Sequence, residues 1–268
     1  HMDVAGVALA TVISQCISAG LVLLCLMHAE GPYRVDLRRL RIRRAKLLQI
    51  MRIGLPAGVQ GAIFSISNVL IQSSINSFGS VAMAGNSAAS NLEGFIYTSM
   101  NAVYQTSLNF TSQNLGAGKR SRLIPILLRC LGVVFAVGAL LGLIFYLLRY
   151  PLLGVYTSDP EVVTFGILRL ELICSTYFLC GMMEVCCGSL RGLGYSVLPT
   201  VVSLTGACGL RVVWIFTVFA IDRSLWTLYL SYPVSWGLTA LAHFICFLVV
   251  LKRQGGTKDV PPQTAAAK

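Results

Sequence analysis

Six polar residues between Asn86 and Tyr104 hold most of the chemistry this sequence offers. Asn86, Ser90, Glu93, Tyr97, Asn101 and Tyr104 follow one another at intervals of 4, 3, 4, 4 and 3, which places all six on one face of an α-helix. Asn91, Gln105 and Asn109 widen the row. The surrounding residues are largely apolar, and a stripe of amides, phenols and a carboxylate cannot face lipid. It either joins helices through amide and hydroxyl hydrogen bonds or lines a water-filled cavity. Wide amides together with a carboxylate exceed what helix pairing needs, so a hydrated cavity is expected. A second, uncharged row lies upstream in Gln60, Ser65, Asn68, Gln72 and Asn76, the last four spaced 3, 4 and 4.

Charges inside apolar runs cost a few kcal/mol each in a bilayer and therefore need a reason. Glu171 and Glu184 share one run, but thirteen residues apart they point about 140° away from each other around a helix. Glu171 lies nearer the middle of that run. Glu184 lies two turns before Arg191 on a similar face, where an ion pair with Arg191 and a role in transport are both open. Arg211, near the middle of the next run, needs an acidic partner, and Glu171 or Glu93 could serve. Arg169 is expected to snorkel outward. Enzymatic patterns are missing: HExxH, HxxEH and GxSxG do not occur, and Gly85-Asn86-Ser87-Ala88-Ala89 is one glycine short of the last. His28 and His243 are isolated, and no Cys, His and Asp cluster has the spacing of metal ligands. Neither an enzyme nor a cofactor or metal site is expected.

The elements that must position these residues follow from composition. The 268 residues are 56% hydrophobic and only 12% charged, about half the charge of a soluble domain. So much apolar surface cannot be hidden in a water-soluble fold of this size. An all-α integral membrane protein of about seven transmembrane helices is predicted, over residues 4–28, 47–77, 80–113, 123–149, 161–187, 196–220 and 226–251. Gly54, Pro56, Gly58 and Gly61 predict a bend early in the second. The net charge of +11 does not indicate nucleic acid, because eight of the 21 Lys and Arg fall between Arg34 and Arg52. Those residues read as a basic amphipathic helix on the membrane surface. The other basic residues gather at the ends of alternate runs, including Lys119, Arg120, Arg122, Arg191, Lys252 and Arg253. The positive-inside rule then puts the basic stretch and the C-terminus in the cytoplasm and His1 outside. The nine cysteines sit in apolar runs, or at the start of one, and read as small apolar fillers. GxxxG spacings at Gly54–Gly58, Gly138–Gly142 and Gly188–Gly192 predict close helix packing.

Three short motifs, in order and at helix ends, carry a family resemblance. Arg52-Ile53-Gly54-Leu55-Pro56 opens the second run, Gln113-Asn114-Leu115-Gly116-Ala117-Gly118-Lys119 closes the third, and Gly188-Ser189-Leu190-Arg191-Gly192-Leu193-Gly194 closes the fifth. Together they resemble the multidrug and toxic compound extrusion (MATE) transporters. The resemblance covers nearly the whole chain to about Arg253. It implies a twelve-helix fold of two six-helix lobes around a central cleft, with outward export coupled to inward H⁺ or Na⁺ flow. On that pattern residues 1–30 are the last helix of the N-terminal lobe and 31–46 the basic cytoplasmic linker. Residues 47–253 are the C-terminal six-helix lobe, and 254–268 a disordered tail. The N-terminal lobe would then be missing from this chain. One branch of the family carries a Glu in its seventh helix and an Asp in its tenth. The same anchors place these at Phe64 and Cys180 here, and Glu184 sits one turn below the second.

The resemblance implies secondary active efflux of small-molecule drugs, often organic cations, across the cell membrane of a bacterium in exchange for H⁺ or Na⁺. The residues expected to line the cavity are Glu93, Asn86, Asn91, Tyr97, Asn101, Tyr104, Gln60, Asn68, Gln72, Glu171, Glu184 and Arg211. Glu93, at the centre of the row, is the expected site of ion coupling, with Tyr97 and Tyr104 offering ring faces to cations. Two alternatives are a flippase for lipid-linked oligosaccharides, which would want a broadly cationic cavity, and a seven-helix membrane sensor or binding protein. Half of a two-lobe cleft should carry no transport by itself.

Overall fold

The computed structural model describes residues 3–30, 34–37 and 41–259. Its regular elements are all helical: α1 (Asp3–His28), α2 (Arg44–Asn76), α3 (Ser80–Gly116), α4 (Leu123–Leu147), α5 (Arg149–Gly154), α6 (Pro160–Gly192), α7 (Val197–Ser203), α8 (Leu210–Phe216), α9 (Val218–Ile221) and α10 (Leu225–Arg253). No strand occurs among the described residues. Among the described residues, six stretches are long and apolar enough to cross a membrane: Ala8–His28, Arg44–Asn76, Arg120–Leu147, Pro160–Gly192, Val197–Ile221 and Leu225–Arg253. The expected third span is missing from that set. Helix α3 has 37 residues, ample to cross a bilayer, but its polar row makes it too hydrophilic to qualify on composition.

The chain divides into two units, His1–Gln49 and Ile50–Lys268. The first holds α1 and the opening of α2. Helix α1 is largely apolar from Ala8 to Met27, as a membrane-crossing helix requires. The basic stretch does not appear as a separate helix in the described residues. Residues 41–43 are non-helical, Arg44 to Lys46 begin α2, and residues 38–40 lie outside the described residues.

In the second unit α6 is the axial element, packed on α3, α4 and α10. Leu170, Ile173, Val185 and Leu190 of α6 are fully buried. The close approaches fix the directions. Gly142 and Gly138 of α4 meet Cys174 and Phe178 of α6 in that order, so α4 runs antiparallel to α6. Gly188 and Gly192 of α6 meet Tyr104 and Thr111 of α3, so those two helices run parallel. A Cβ on Gly142 would lie 2.3 Å from the Cys174 carbonyl oxygen, a distance no side chain can accept. The glycines at Gly138–Gly142 and Gly188–Gly192 are therefore packing glycines, as expected. Those at Gly54–Gly58 are not, since a Cβ on either meets nothing within 4 Å. The outward faces of α4 and α10 carry exposed Leu140, Leu143, Leu147, Leu238, Leu241 and Ile245, an apolar surface suited to lipid.

Helix α2 carries Pro56 within its length. The predicted span 196–220 forms as Val197–Ile221, with one irregularity that the sequence reading did not foresee: α7 passes through a π-helical turn at Leu204–Gly209 into α8. At that turn Gly206 lies so close to α10 that a Cβ would come within 2.3 Å of Thr239 Oγ1. The start of the predicted disordered tail is also ordered. The Gln254 carbonyl accepts from Arg120, and Asp259 accepts from the Ser121 backbone N–H at 2.8 Å and its hydroxyl at 3.1 Å. These hydrogen bonds hold the Asp259 carboxyl below its ordinary pKa. Residues 260–268 lie outside the described residues.

The close α4–α6 contact gives a direct test. Gly142→Val should cost about 1–3 kcal/mol or more through overpacking. Gly132→Ala on the same helix, where a Cβ enters open space, should be neutral or slightly stabilising. Thermal unfolding of the detergent-solubilised chain should show a clear drop in Tm for the first and none for the second.

Candidate functional site

A cavity of about 560 Å³ runs along α6. Helix α2 contributes Gln60, Asn68 and Gln72, and α3 contributes Ser90, Glu93, Tyr97, Asn101 and Tyr104. Helix α6 adds Arg169, Tyr177, Cys180, Glu184 and Arg191, while Arg211 of α8 and Tyr232 and Trp236 of α10 close the wall. Five of the six residues in the α3 row therefore line one space. The sixth, Asn86, sits just beyond it, donating to Gln72 Oε1 at 3.0 Å and accepting from Arg169 Nη1 at 2.6 Å. Phe64 and Cys180, which align with the carboxylates of one family branch, both face the cavity.

The centre of the site is an ion pair that the sequence reading did not foresee. Arg169 does not snorkel outward; it is buried and grips Glu93 with two parallel bonds, Nε to Oε1 and Nη2 to Oε2, both 2.7 Å. Both side chains are 7% exposed. The reason is the position of α6: hemmed in by α3, α4 and α10, it offers Arg169 no short path to an interface. A charge held at that depth is tolerable only with a hydrogen-bonded partner of opposite sign. The fork-to-fork geometry supplies one.

That pairing removes Glu93 as a partner for Arg211, and Glu171 is removed as well. Glu171 lies outside the cavity, with its carboxylate 3.1 Å from Arg149. Arg211 has no acidic partner among the described residues. Its Nε donates to Ser235 Oγ at 2.9 Å. Its guanidinium carbon lies 4.2 Å from the centre of the Tyr232 ring and 5.4 Å from that of Trp236.

Glu184 and Arg191 do not bond each other either. Arg191 donates to the Tyr104 hydroxyl at 2.7 Å and to Gln60 Oε1 at 2.8 Å, tying α6 to α3 and α2. Glu184 faces the cavity with no hydrogen bond or ion pair to another described residue. Asn91, Gln105 and Asn109 do not widen the row: all three are exposed and outside the cavity. Asn91 and Asn109 are five whole turns apart and share one direction about 120° off the middle of the row, and Gln105 is about 80° off it.

Tyr232, Trp236 and Tyr177 escaped the sequence reading, although a signal was present. Tyr229, Tyr232, Trp236, Thr239 and His243 recur along α10 at intervals of 3, 4, 3 and 4, and all five are buried. Trp236 packs edge-on to Tyr177 and Tyr232, with ring centres 5.3 and 5.4 Å apart. His243 bonds Ser203 Oγ through Nε2 at 3.0 Å. Among the described residues, no three His, Cys, Asp or Glu side chains converge as a metal would require.

Long apolar helices around a cavity of amides, phenols, indole and unlike charges define a polytopic α-helical membrane protein. Residues 56–217 match the MatE family, and the chain belongs to it. Among curated relatives, the probable multidrug resistance protein YoeA of Bacillus subtilis is 21% identical over 261 residues, 96% of this chain and 56% of that protein. The probable multidrug resistance protein NorM of Thermotoga maritima is 23% identical over 205 residues, 76% of this chain and 44% of its own length. The chain thus spans about half the length of the curated relatives it matches. In fold it is similar to an outward-facing multidrug resistance MATE transporter of the MOP superfamily, with a TM-score of 0.83 at 15% identity over 94% of this chain and 57% of that one.

Breaking the central pair should cost about 3–5 kcal/mol, because it strands a buried charge. Glu93→Leu and Arg169→Met should each lower the Tm of the solubilised chain sharply, whereas the double variant should be less destabilised than either single one. Additive losses in the double variant would mean that the two side chains are not coupled.

Proposed function

We propose that this chain is the C-terminal lobe, with the linker and last helix of the N-terminal lobe, of a secondary active multidrug exporter in the cell membrane. Such a pump trades organic compounds for H⁺ or Na⁺. Membership of the MatE family and the names of its relatives, both multidrug resistance proteins, support the reading. The basic residues at alternate helix ends support a cytoplasmic C-terminus. The observation that carries the reading is the unpaired Glu184 carboxylate on the wall of the polar and aromatic cavity.

A carboxylate in a space shielded from bulk water binds a proton or a small cation to offset its lost hydration. Glu184 thereby takes the coupling role that sequence alone assigned to Glu93, whose charge Arg169 already balances. Tyr97 and Trp236 line the same cavity and offer ring faces to apolar or cationic bodies. A basic compound held by the ionised carboxylate is released once H⁺ or Na⁺ neutralises it, so ion and drug compete for one charge. Helix α2 is the element placed to respond. It meets α3 and α6 through Gln72–Asn86 and Gln60–Arg191, and Glu184 lies two turns from Arg191 on the same face of α6. A change of charge at Glu184 alters the field on the arginine that holds α2. Ion binding would then favour one of two lobe arrangements by its differential affinity for them.

In cells expressing the complete coding region, Glu184→Gln should lower gradient-driven efflux of a fluorescent drug by about tenfold or more, with protein level unchanged. Undiminished efflux that still tracks the pH or Na⁺ gradient would overturn the assignment. Reconstituted alone in liposomes, the chain should carry no gradient-driven flux, having one wall of a two-walled cleft.

A further inference from the structure

Arg211 is a charge on the cavity wall with no acidic partner among the described residues. It is 3% exposed, yet its one hydrogen bond to a described residue is from Nε to Ser235. Nη2 is buried without a partner. The other charges of the cavity are accounted for differently. Arg169 is neutralised by Glu93, and Arg191 is spent on Tyr104 and Gln60. Glu184 makes no bond to Arg211. A guanidinium stays charged at any physiological pH and presents its two terminal nitrogens as a planar fork. Here the Nε edge is anchored on Ser235, the Tyr232 ring lies over the plane, Nη2 is buried, and Nη1 is left unspent on a residue that lines the cavity.

The backbone reinforces this arrangement. The π-helical turn at Leu204–Gly209 ends one residue before α8 begins at Leu210, and Arg211 is the next residue. A π turn inserts one residue into the helical register and rotates the downstream helix by about 100°. Gly206 meanwhile lets the turn press against Thr239, one helical turn beyond Ser235. The interruption that sequence periodicity missed is therefore what aims Arg211 at the cavity and sets it against Ser235 and Tyr232.

We propose that Arg211 is the seat of an anionic group, a carboxylate or a phosphate monoester, carried by an aromatic compound that occupies this cavity. Nη1, the terminal nitrogen that is neither bonded nor sealed off, donates to the anion in a charge-assisted hydrogen bond, and the aromatic body lies against Trp236 and Tyr177. The proposal rests on the transport reading and narrows it: the substrate bears a negative group. A compound with a basic group as well would hold that group at Glu184, where it still competes with the coupling ion. Free organic anions and lipid headgroups share this chemistry.

Equilibrium dialysis of the solubilised chain against naphthoate, naphthyl phosphate and naphthamide tests it. The two anions should bind about tenfold more tightly than the isosteric neutral amide. Arg211→Gln should abolish that preference while leaving naphthamide binding unchanged, and Arg211→Lys should keep part of it. Equal binding of anion and amide by the unsubstituted chain overturns the proposal without recourse to any variant. So does an anion preference that survives Arg211→Gln, or the absence of all binding. In phosphatidylcholine nanodiscs, displacement of naphthyl phosphate by added phosphatidate assigns the seat to a lipid headgroup, and its retention assigns it to a free organic anion. Equal binding of anion and amide by the unsubstituted chain, with gradient-driven efflux by the complete transporter intact, overturns the role of Arg211 and leaves the transport reading standing.

Discussion

The bidentate bond between Glu93 and Arg169 is the constraint around which the surrounding helices are arranged. It joins α3 to α6 with both side chains nearly buried, and Asn86 extends it toward Gln72 of α2. Replacing such a pair with apolar side chains need not cost stability. Its value here is positional, because it holds the polar face of α3 against the most buried helix of the bundle. With that face fixed inward, the remaining polar residues of the row have no choice but to line a cavity. The parallel run of α3 along α6, made possible by Gly188 and Gly192, carries the same alignment down to Tyr104 and Arg191.

Helix α2 is held by a different kind of interaction. Although Ile71 and Ile75 are buried, it meets α3 and α6 at Gln72 and Gln60, and its Pro56 carbonyl accepts from Thr200 of α7 at 3.4 Å. Hydrogen bonds of this sort are individually modest and can exchange with water or ligand, whereas the interdigitated glycine contacts among α3, α4 and α6 cannot be loosened without opening voids. The fold therefore separates a stiff trio of helices from one whose attachment is polar and placed directly on the cavity. A wall of that kind suits a site whose occupancy must be felt by the helices around it.

Much of this was legible in the residues. The stripe on α3 announces itself because a 3.6-residue period of amides, phenols and a carboxylate is incompatible with lipid on that face, whatever the fold. The packing glycines on α4 and α6 were equally readable, since close approach between long apolar helices asks for small residues. Reading failed where an answer depended on a partner far away in sequence. A lone arginine in an apolar run looks the same whether it snorkels or pairs, and the partner of Arg169 lies 76 residues upstream. The π turn before Arg211 leaves no mark on hydrophobic periodicity beyond two glycines, and the aromatic row of α10 is hidden among residues that are themselves apolar.

The order of residues alone thus established that the chain lies in a membrane, that it is helical throughout its apolar runs, and that one face of the third long helix must avoid lipid. These properties come from composition and local period, which depend on each residue and its near neighbours. Which charges meet was settled by the packed helices. Packing gave Glu93 to Arg169 and Glu171 to Arg149, and it left Glu184 and Arg211 unpaired on the cavity wall. Pairing depends on the register and rotation of whole helices, and a shift of one residue turns a side chain by about 100°.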